Sequence, residues 1–394
     1  MEKKDAEMNF KKMYLIRAIR SGMFSIAIIM PFYGQNGLKV SEAMTLQALF
    51  AVALMILEVP TGYFADRYGR KKSIIIGSIF STFGYLAYSM SYGFQAFLVS
   101  EIILAVGCSF VSGADSALLY DTRQESPEGG GYIKLEGNSS FVGLLSEGLT
   151  SFVGGSLLAL ISLRVPIYCD AALAFLAVPV ACTLIEPPRH TVNRESSLKV
   201  MWRVMKYSLH GHTEIKWLII FSSVVSAATL NMVWLIQVYW ANTGVPLKFF
   251  GAMWASLLIV AAIVASQAHR IEDYLERRIS LVAMIALPVA GYLILSATMA
   301  MWSAVFILLF YVTRGMNDPI TKSYINGLVS SDDRATILSV RNLIGKLIFS
   351  IVVMPIGMIH DTVSLQGALG VSGGIFLVGG VIALFFLRKH GALK

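Results

Sequence analysis

Glu147 and Lys346 each lie near the middle of a long apolar run, with Glu58, Arg20 and Arg314 at shallower positions in others. If such a run crosses a membrane as a helix, an ionised group near its centre costs about 2.5–3.5 kcal/mol. Each is therefore a candidate site. A buried carboxylate can load and release a proton, and a buried ammonium or guanidinium can hold an anion. On this ground Glu147 and Glu58 are candidate proton carriers, while Lys346, Arg20, Arg314 and Arg341 are candidate contacts for an anionic solute. The competing assignment for each is an interhelical pair that only fastens the bundle, and Arg20 with Glu58 fits that equally well. Asn231, Trp234 and Gln237 could form a wall for a flat substrate, whereas Trp240 suits an interfacial belt. Asp115, Asp121 and Asp318 read as helix-end caps, with Asp121 placed to meet Arg123 or an arginine of the loop after the second run. Glu101 and Asp170 fall near the outer surface and read as solvated residues.

The elements that must carry these groups follow from composition. Of 394 residues, 56% are hydrophobic and 14% charged, more apolar surface than a soluble chain of this length can hide. Twelve runs are long enough to span a hydrocarbon core of ~30 Å as helices: 13–34, 43–64, 73–91, 94–120, 135–161, 166–186, 215–240, 246–269, 279–298, 300–322, 335–359 and 366–388. The formal charge of +8 collects on alternate loops, the pattern that places both termini in the cytoplasm, so it reports topology in a bilayer and implies no nucleic acid. The first run lacks a small-residue cleavage site and is expected to stay as a span.

The polar stretch 187–214 divides the chain into bundles 1–186 and 215–394, and its segment 198–209 suits either a helix lying on the membrane surface or a solvated linker. The halves repeat. At an offset of 202, Gly113, Gly143 and Gly155 fall on Gly315, Gly345 and Gly357. At 207, Asp66, Arg70, Lys71 and Ser73 fall on Asp273, Arg277, Arg278 and Ser280.

The loop between the second and third runs holds Gly62, Asp66, Arg67, Gly69, Arg70, Lys71 and Lys72. This spacing resembles the G-x-x-x-D-R-x-G-R-[RK]-[RK] signature of the major facilitator superfamily, and the resemblance extends over essentially the whole chain. It implies an all-α membrane protein of two pseudo-symmetric six-helix bundles, with this loop as a gating latch. Physically, Asp66 can accept charge-assisted hydrogen bonds from a neighbouring helix end, and Gly62 would let that neighbour approach closely. The second copy, around Asp273 and Arg277, has Glu276 for Gly69 and Tyr274 for Arg67, so a looser latch is expected there. Antiporters of the superfamily carry G-P-x-x-G-G in the fifth span; here Gly154 and Gly155 remain and the Gly-Pro pair is lost.

No nucleophile with a base partner, metal-ligand spacing or phosphate loop is present, so an enzyme is not expected, and neither is a cofactor or metal. Cys108, Cys169 and Cys182 all fall in apolar runs and read as packing residues. The expected function is secondary transport of a small organic solute across the cytoplasmic membrane by alternating access, as a proton-coupled exporter working as a monomer. A carboxylate metabolite or siderophore fits the basic set. Efflux of lipophilic drugs, proton-coupled import and a non-transporting receptor are the other readings.

Overall fold

The computed structural model describes residues 3–125, 131–188, 212–329 and 331–390. The surface helix expected over 198–209 lies outside them. Among the described residues fourteen α-helices follow in order: α1 Lys3–Ser21, α2 Ile29–Gln35, α3 Val40–Tyr68, α4 Arg70–Met90, α5 Gly93–Val111, α6 Ala114–Gln124, α7 Tyr132–Ser156, α8 Val165–Cys182, α9 Thr213–Asn242, α10 Phe250–Ser266, α11 Ala268–Thr298, α12 Leu308–Leu328, α13 Ser331–Thr362 and α14 Leu365–Lys389. Large apolar side chains such as Phe83, Phe141, Phe175, Ile259 and Phe385 face outward, while Ser73, Thr122, Ser222 and Asn231 are buried. Helices are the natural answer for such a chain, because in hydrocarbon every backbone polar group must be satisfied within its own segment. The protein is an all-α membrane protein.

Ten helices among the described residues are long and apolar enough to cross a membrane. The two further expected spans, 13–34 and 300–322, fall short for visible reasons. The first is broken between Ser21 and Ile29, and the second opens in a 3₁₀ turn, Met301–Ile307, before α12, which carries Arg314, Asp318 and Lys322. The expected span 94–120 is also interrupted, at Ser112 and Gly113, where Gly113 takes φ 78° between α5 and α6.

The chain clusters into two compact units. The first comprises Met1–Leu38, Leu49–Arg194 and Leu247–Ala255, and the second Lys39–Ala48, Glu195–Pro246 and Ser256–Lys394. In the first, α4 packs on α5 and α8, and α1 on α7 and α8. Inside this unit Gly155 of α7 meets Gly251 at the start of α10, close enough that a Cβ on Gly155 would lie 2.8 Å from Gly251 Cα, and Ser156 Oγ accepts from Ala252 N at 2.9 Å. In the second unit α9 packs on α13 and α14, and α11 on α12 and α14. There Gly357 of α13 meets the start of α3, where its Cβ would lie 2.8 Å from Ser41 Cα, and Asp361 Oδ2 accepts from Ser41 N at 2.9 Å. The Gly155/Gly357 repeat thus marks two equivalent backbone contacts.

Candidate functional site

The break in the first span sets the geometry of the first unit. Four backbone amides of an interrupted helix need new acceptors at a depth without water. Met23 N donates to Thr150 Oγ1 of α7 at 2.9 Å, and Phe24 N and Ser25 N donate to the two carboxylate oxygens of Asp170 on α8 at 2.6 and 3.1 Å. Gly154 makes room: a Cβ there would run into Phe24 O. The retained glycine of the fifth span therefore serves the broken first helix.

The last turn of α1 carries Arg17 and Arg20 to α6. Arg20 Nη1 donates to Asp115 Oδ2 at 2.5 Å and Arg17 Nη1 to the same oxygen at 3.4 Å. Arg20 thus pairs with Asp115, and not with Glu58, the partner that the bundle-fastening alternative gives it. Asp115 is correspondingly no mere helix-end cap, although it also accepts from Ser116 N at 2.8 Å. Glu58 accepts from Ser112 Oγ at 3.4 Å, in the interruption of the fourth span. Beyond Asp115, Ser116 Oγ and Tyr132 OH donate to the two oxygens of Glu136 at 3.1 and 3.2 Å. Burial, then the Glu136 charge, pushes the Tyr132 phenol up to about 12, so it stays a donor. Arg17, Asp115, Ser116 and Ser139 line a small cleft, and Arg17 Nε is buried there without a hydrogen-bond partner.

The second unit holds a related cluster. Arg341, only 3% exposed, donates from Nε to Ser222 Oγ at 2.6 Å and from Nη1 to Asp318 Oδ1 at 2.8 Å. Asn317 Nδ2 bonds Ser226 Oγ at 2.9 Å, and Lys322 Nζ reaches Asp318 Oδ2 at 2.5 Å. Asp318, expected as an end cap, is held by two cations. At the offset of 202, Ser222, Asn317 and Arg341 correspond to Arg20, Asp115 and Ser139. Each unit therefore places an arginine–aspartate pair at the same locus of the repeat, with the arginine supplied by the first helix of one and the fifth of the other. No single half of the sequence shows this, because the aspartate stays on the fourth span while the arginine moves from the first helix to the fifth.

A model of the family described as Major Facilitator Superfamily matches residues 13–347. The chain belongs to the Major Facilitator Superfamily. Multidrug resistance protein 2 of Bacillus subtilis (strain 168) is 25% identical over 183 residues, 45% of this chain and 44% of that protein. Quinolone resistance protein NorA of Staphylococcus aureus (strain MRSA252) is 27% identical over 193 residues, 46% of this chain and 48% of its own length. The match thus spans less than half the length of either relative. Among solved structures, a mutant of the nucleoside transporter NupG superposes with a TM-score of 0.80 at 12% identity over 97% of this chain and 99% of that one. A bacterial homologue of the human lysosomal transporter Spinster gives 0.73 at 16% identity over 100% and 97%. At these identities the likeness is one of fold.

The superfamily loop resolves into three separate jobs. Gly69 takes φ 125° at the junction of α3 and α4, a conformation glycine alone adopts freely. Arg70 pairs with Asp121 and bonds Ala117 O at 2.6 Å, so an arginine of the loop, one of the two expected partners, reaches Asp121. Glu186, which the sequence reading passed over, accepts from Arg70 N at 2.9 Å and Lys71 N at 2.7 Å, capping α4 as a carboxylate does at a helix N-terminus. Arg67 bonds Tyr63 OH at 2.8 Å, and Asp66 is exposed. At Gly62 a Cβ would meet nothing within 4 Å, so the close approach expected there is not seen. In the second copy Arg277 pairs with Glu214 at 2.7 Å and stacks 4.6 Å from the Tyr324 ring, while Asp273 is exposed.

Other sequence candidates divide by environment. Glu147 and Lys346 are half-buried and each is engaged by other groups. Arg314 is exposed. Asn231 is buried and donates to Tyr292 OH at 3.0 Å and Ser372 Oγ at 3.1 Å; Gln237 is also buried. Trp234 Nε1 is buried without a hydrogen-bond partner. Trp240, expected in an interfacial belt, is fully buried. Glu101 and Asp170, expected in water, are 5% and 2% exposed, since Tyr33 OH closes over Glu101 at 2.7 Å and the broken helix over Asp170.

Proposed function

We propose that this transporter is a proton-coupled exporter of a small organic solute in the cytoplasmic membrane, working as a monomer by alternating access, with both termini in the cytoplasm. Bundles 1–186 and 215–394 are its moving halves, joined by 187–214. The observation that carries the reading is the pairing of Arg17 and Arg20 with the half-buried Asp115 beside a broken helix. A carboxylate-bearing solute entering that cleft competes with Asp115 for the two guanidinium groups. A carboxylate deprived of its cations is a better proton acceptor. One exchange of partners therefore links solute to proton. Glu147 and Glu58 are further proton carriers in this scheme, with Lys346, Arg314, Arg341, Asn231, Trp234 and Gln237 as solute contacts.

Efflux of lipophilic compounds is the second reading, favoured by the drug-resistance names of the two relatives matched over less than half their length. Proteoliposomes under an imposed pH gradient, tested against carboxylates, organic cations and lipophilic dyes, separate the two. Gradient-driven movement of carboxylates that fails in Arg20→Met supports the first. Dye movement indifferent to Arg20 supports the second.

A further inference from the structure

We propose that Asp170 is a proton-binding site that sets whether the first transmembrane helix is broken or continuous. Asp170 is buried in α8, and both of its oxygens are used on backbone amides of the 22–28 interruption, Phe24 N and Ser25 N. In an unbroken helix those two amides would bond the carbonyls four residues back, Arg20 and Ser21. Gly22 N still keeps that pattern, bonding Ala18 O at 2.9 Å. The carboxylate is therefore in direct competition with the carbonyls of Arg20 and Ser21, just beyond Ile19, whose amide partner Met23 N is held by Thr150 Oγ1.

The ionised form favours the break, because two charge-assisted bonds from amides are what make a buried carboxylate tolerable without a cation. Taking one proton from the aqueous phase converts one oxygen from acceptor to O–H donor, so at least one of the two amides is released. Released at membrane depth, it must find another acceptor, and rewinding toward Arg20 O or Ser21 O supplies one. The ionisable groups facing Asp170 are Tyr85 of α4 and Cys169 on its own helix, while α7 presents the neutral Thr150; no basic side chain among the described residues acts on it. Rewinding one turn turns the end of α1 and moves Arg20 relative to Asp115. The two-state element is thus the 22–28 segment, biased by a proton at Asp170 and read out at the Arg20–Asp115 pair. The link to export rests on the function proposed above; the proton site itself does not.

The test is infrared difference spectroscopy of the purified full-length protein labelled with ¹³C-aspartate, between high and low pH, needing no solute. The expected result is a protonated-carboxyl carbonyl band that shifts with the label and is absent from Asp170→Asn. In Asp170→Glu the band should persist without the label shift, which keeps the test decisive if the asparagine variant folds poorly. A band unchanged in both variants, or no band at all, overturns the proposal and leaves Asp170 a permanent brace. Hydrogen exchange of the 22–28 amides at one pH reports on rewinding. Retained protection in Asp170→Asn is expected, and fast exchange there would contradict it. Neither measurement depends on proton-coupled export, so failure of that reading is distinguishable from failure of this one.

Discussion

Gly69, between α3 and α4, and Glu276, at a kink inside α11, lie 207 positions apart and share a positive-φ backbone, 125° in the first and 61° in the second. With ψ at 162°, Glu276 sits in a region that is essentially confined to glycine and costs on the order of 1–3 kcal/mol. The turn is a property of the repeat, retained where its glycine is not. Because Glu276 is exposed, little is lost by removing it. Glu276→Gly should raise the thermal unfolding temperature in detergent, by about 1 kcal/mol of stability, while Gly69→Ala should lower it. An unchanged or lowered midpoint in Glu276→Gly would contradict the strain.

Gly154 and Gly148 lie on one stretch of α7 with opposite surroundings. A Cβ at Gly154 runs into Phe24 O, and one at Gly148 meets nothing within 4 Å. Gly154→Ala should cost about 1–3 kcal/mol through displaced backbone and depress folded yield, whereas Gly148→Ala should be neutral or mildly stabilising. Fluorescence-detected size exclusion after heating reads both. Equal behaviour of the two variants would show that the broken helix does not seat on α7 as described.

Arg341 satisfies Ser222 and Asp318 from one guanidinium. Arg341→Lys keeps the charge but not the planar fork, and should lose about 1–2 kcal/mol as Ser222 Oγ or Asp318 is left short of a donor. Asp318→Asn should be milder, because that side chain is 54% exposed. If Arg341→Lys matches the wild type in thermal stability, the cluster is not what holds α9, α12 and α13 together.

We propose that Asp66, the acidic residue of the loop signature, acts as the gating latch. Asp66→Asn should lower transport several-fold while membrane expression is retained, and should change cysteine accessibility across the bundle. Glu186→Gln should act differently, weakening the α4 cap by about 1 kcal/mol with the larger effect on stability. Wild-type transport and labelling in Asp66→Asn would remove the gating role.

The fold was legible because its signals are local and repeated: apolar runs of membrane length, alternating basic loops and the glycines at a fixed offset. The site was less so. Asp170 reads as a solvated residue because it lies five residues into its helix, and only the broken first span, which nothing in 22–28 beyond one glycine announces, explains its burial. Asp115 reads as a cap since its partners are about a hundred residues away and no spacing rule connects them. Glu186 escaped notice because a carboxylate capping a helix met 116 residues earlier leaves no periodic trace. The Gly154–Gly155 pair was visible, but its purpose depends on two backbone segments that no linear pattern brings together.

The most direct test of the account is gradient-driven transport by Asp115→Asn in proteoliposomes, measured beside the wild type with the same carboxylates and dyes. The wild type should accumulate at least one carboxylate against its gradient when the pH gradient is imposed. Asp115→Asn should lose that driven component by about tenfold or more, as removal of a proton-transferring group does, yet still exchange solute across a membrane without a gradient. Driven transport at the wild-type rate in Asp115→Asn would contradict the claim that the arginine–aspartate pair couples solute to proton.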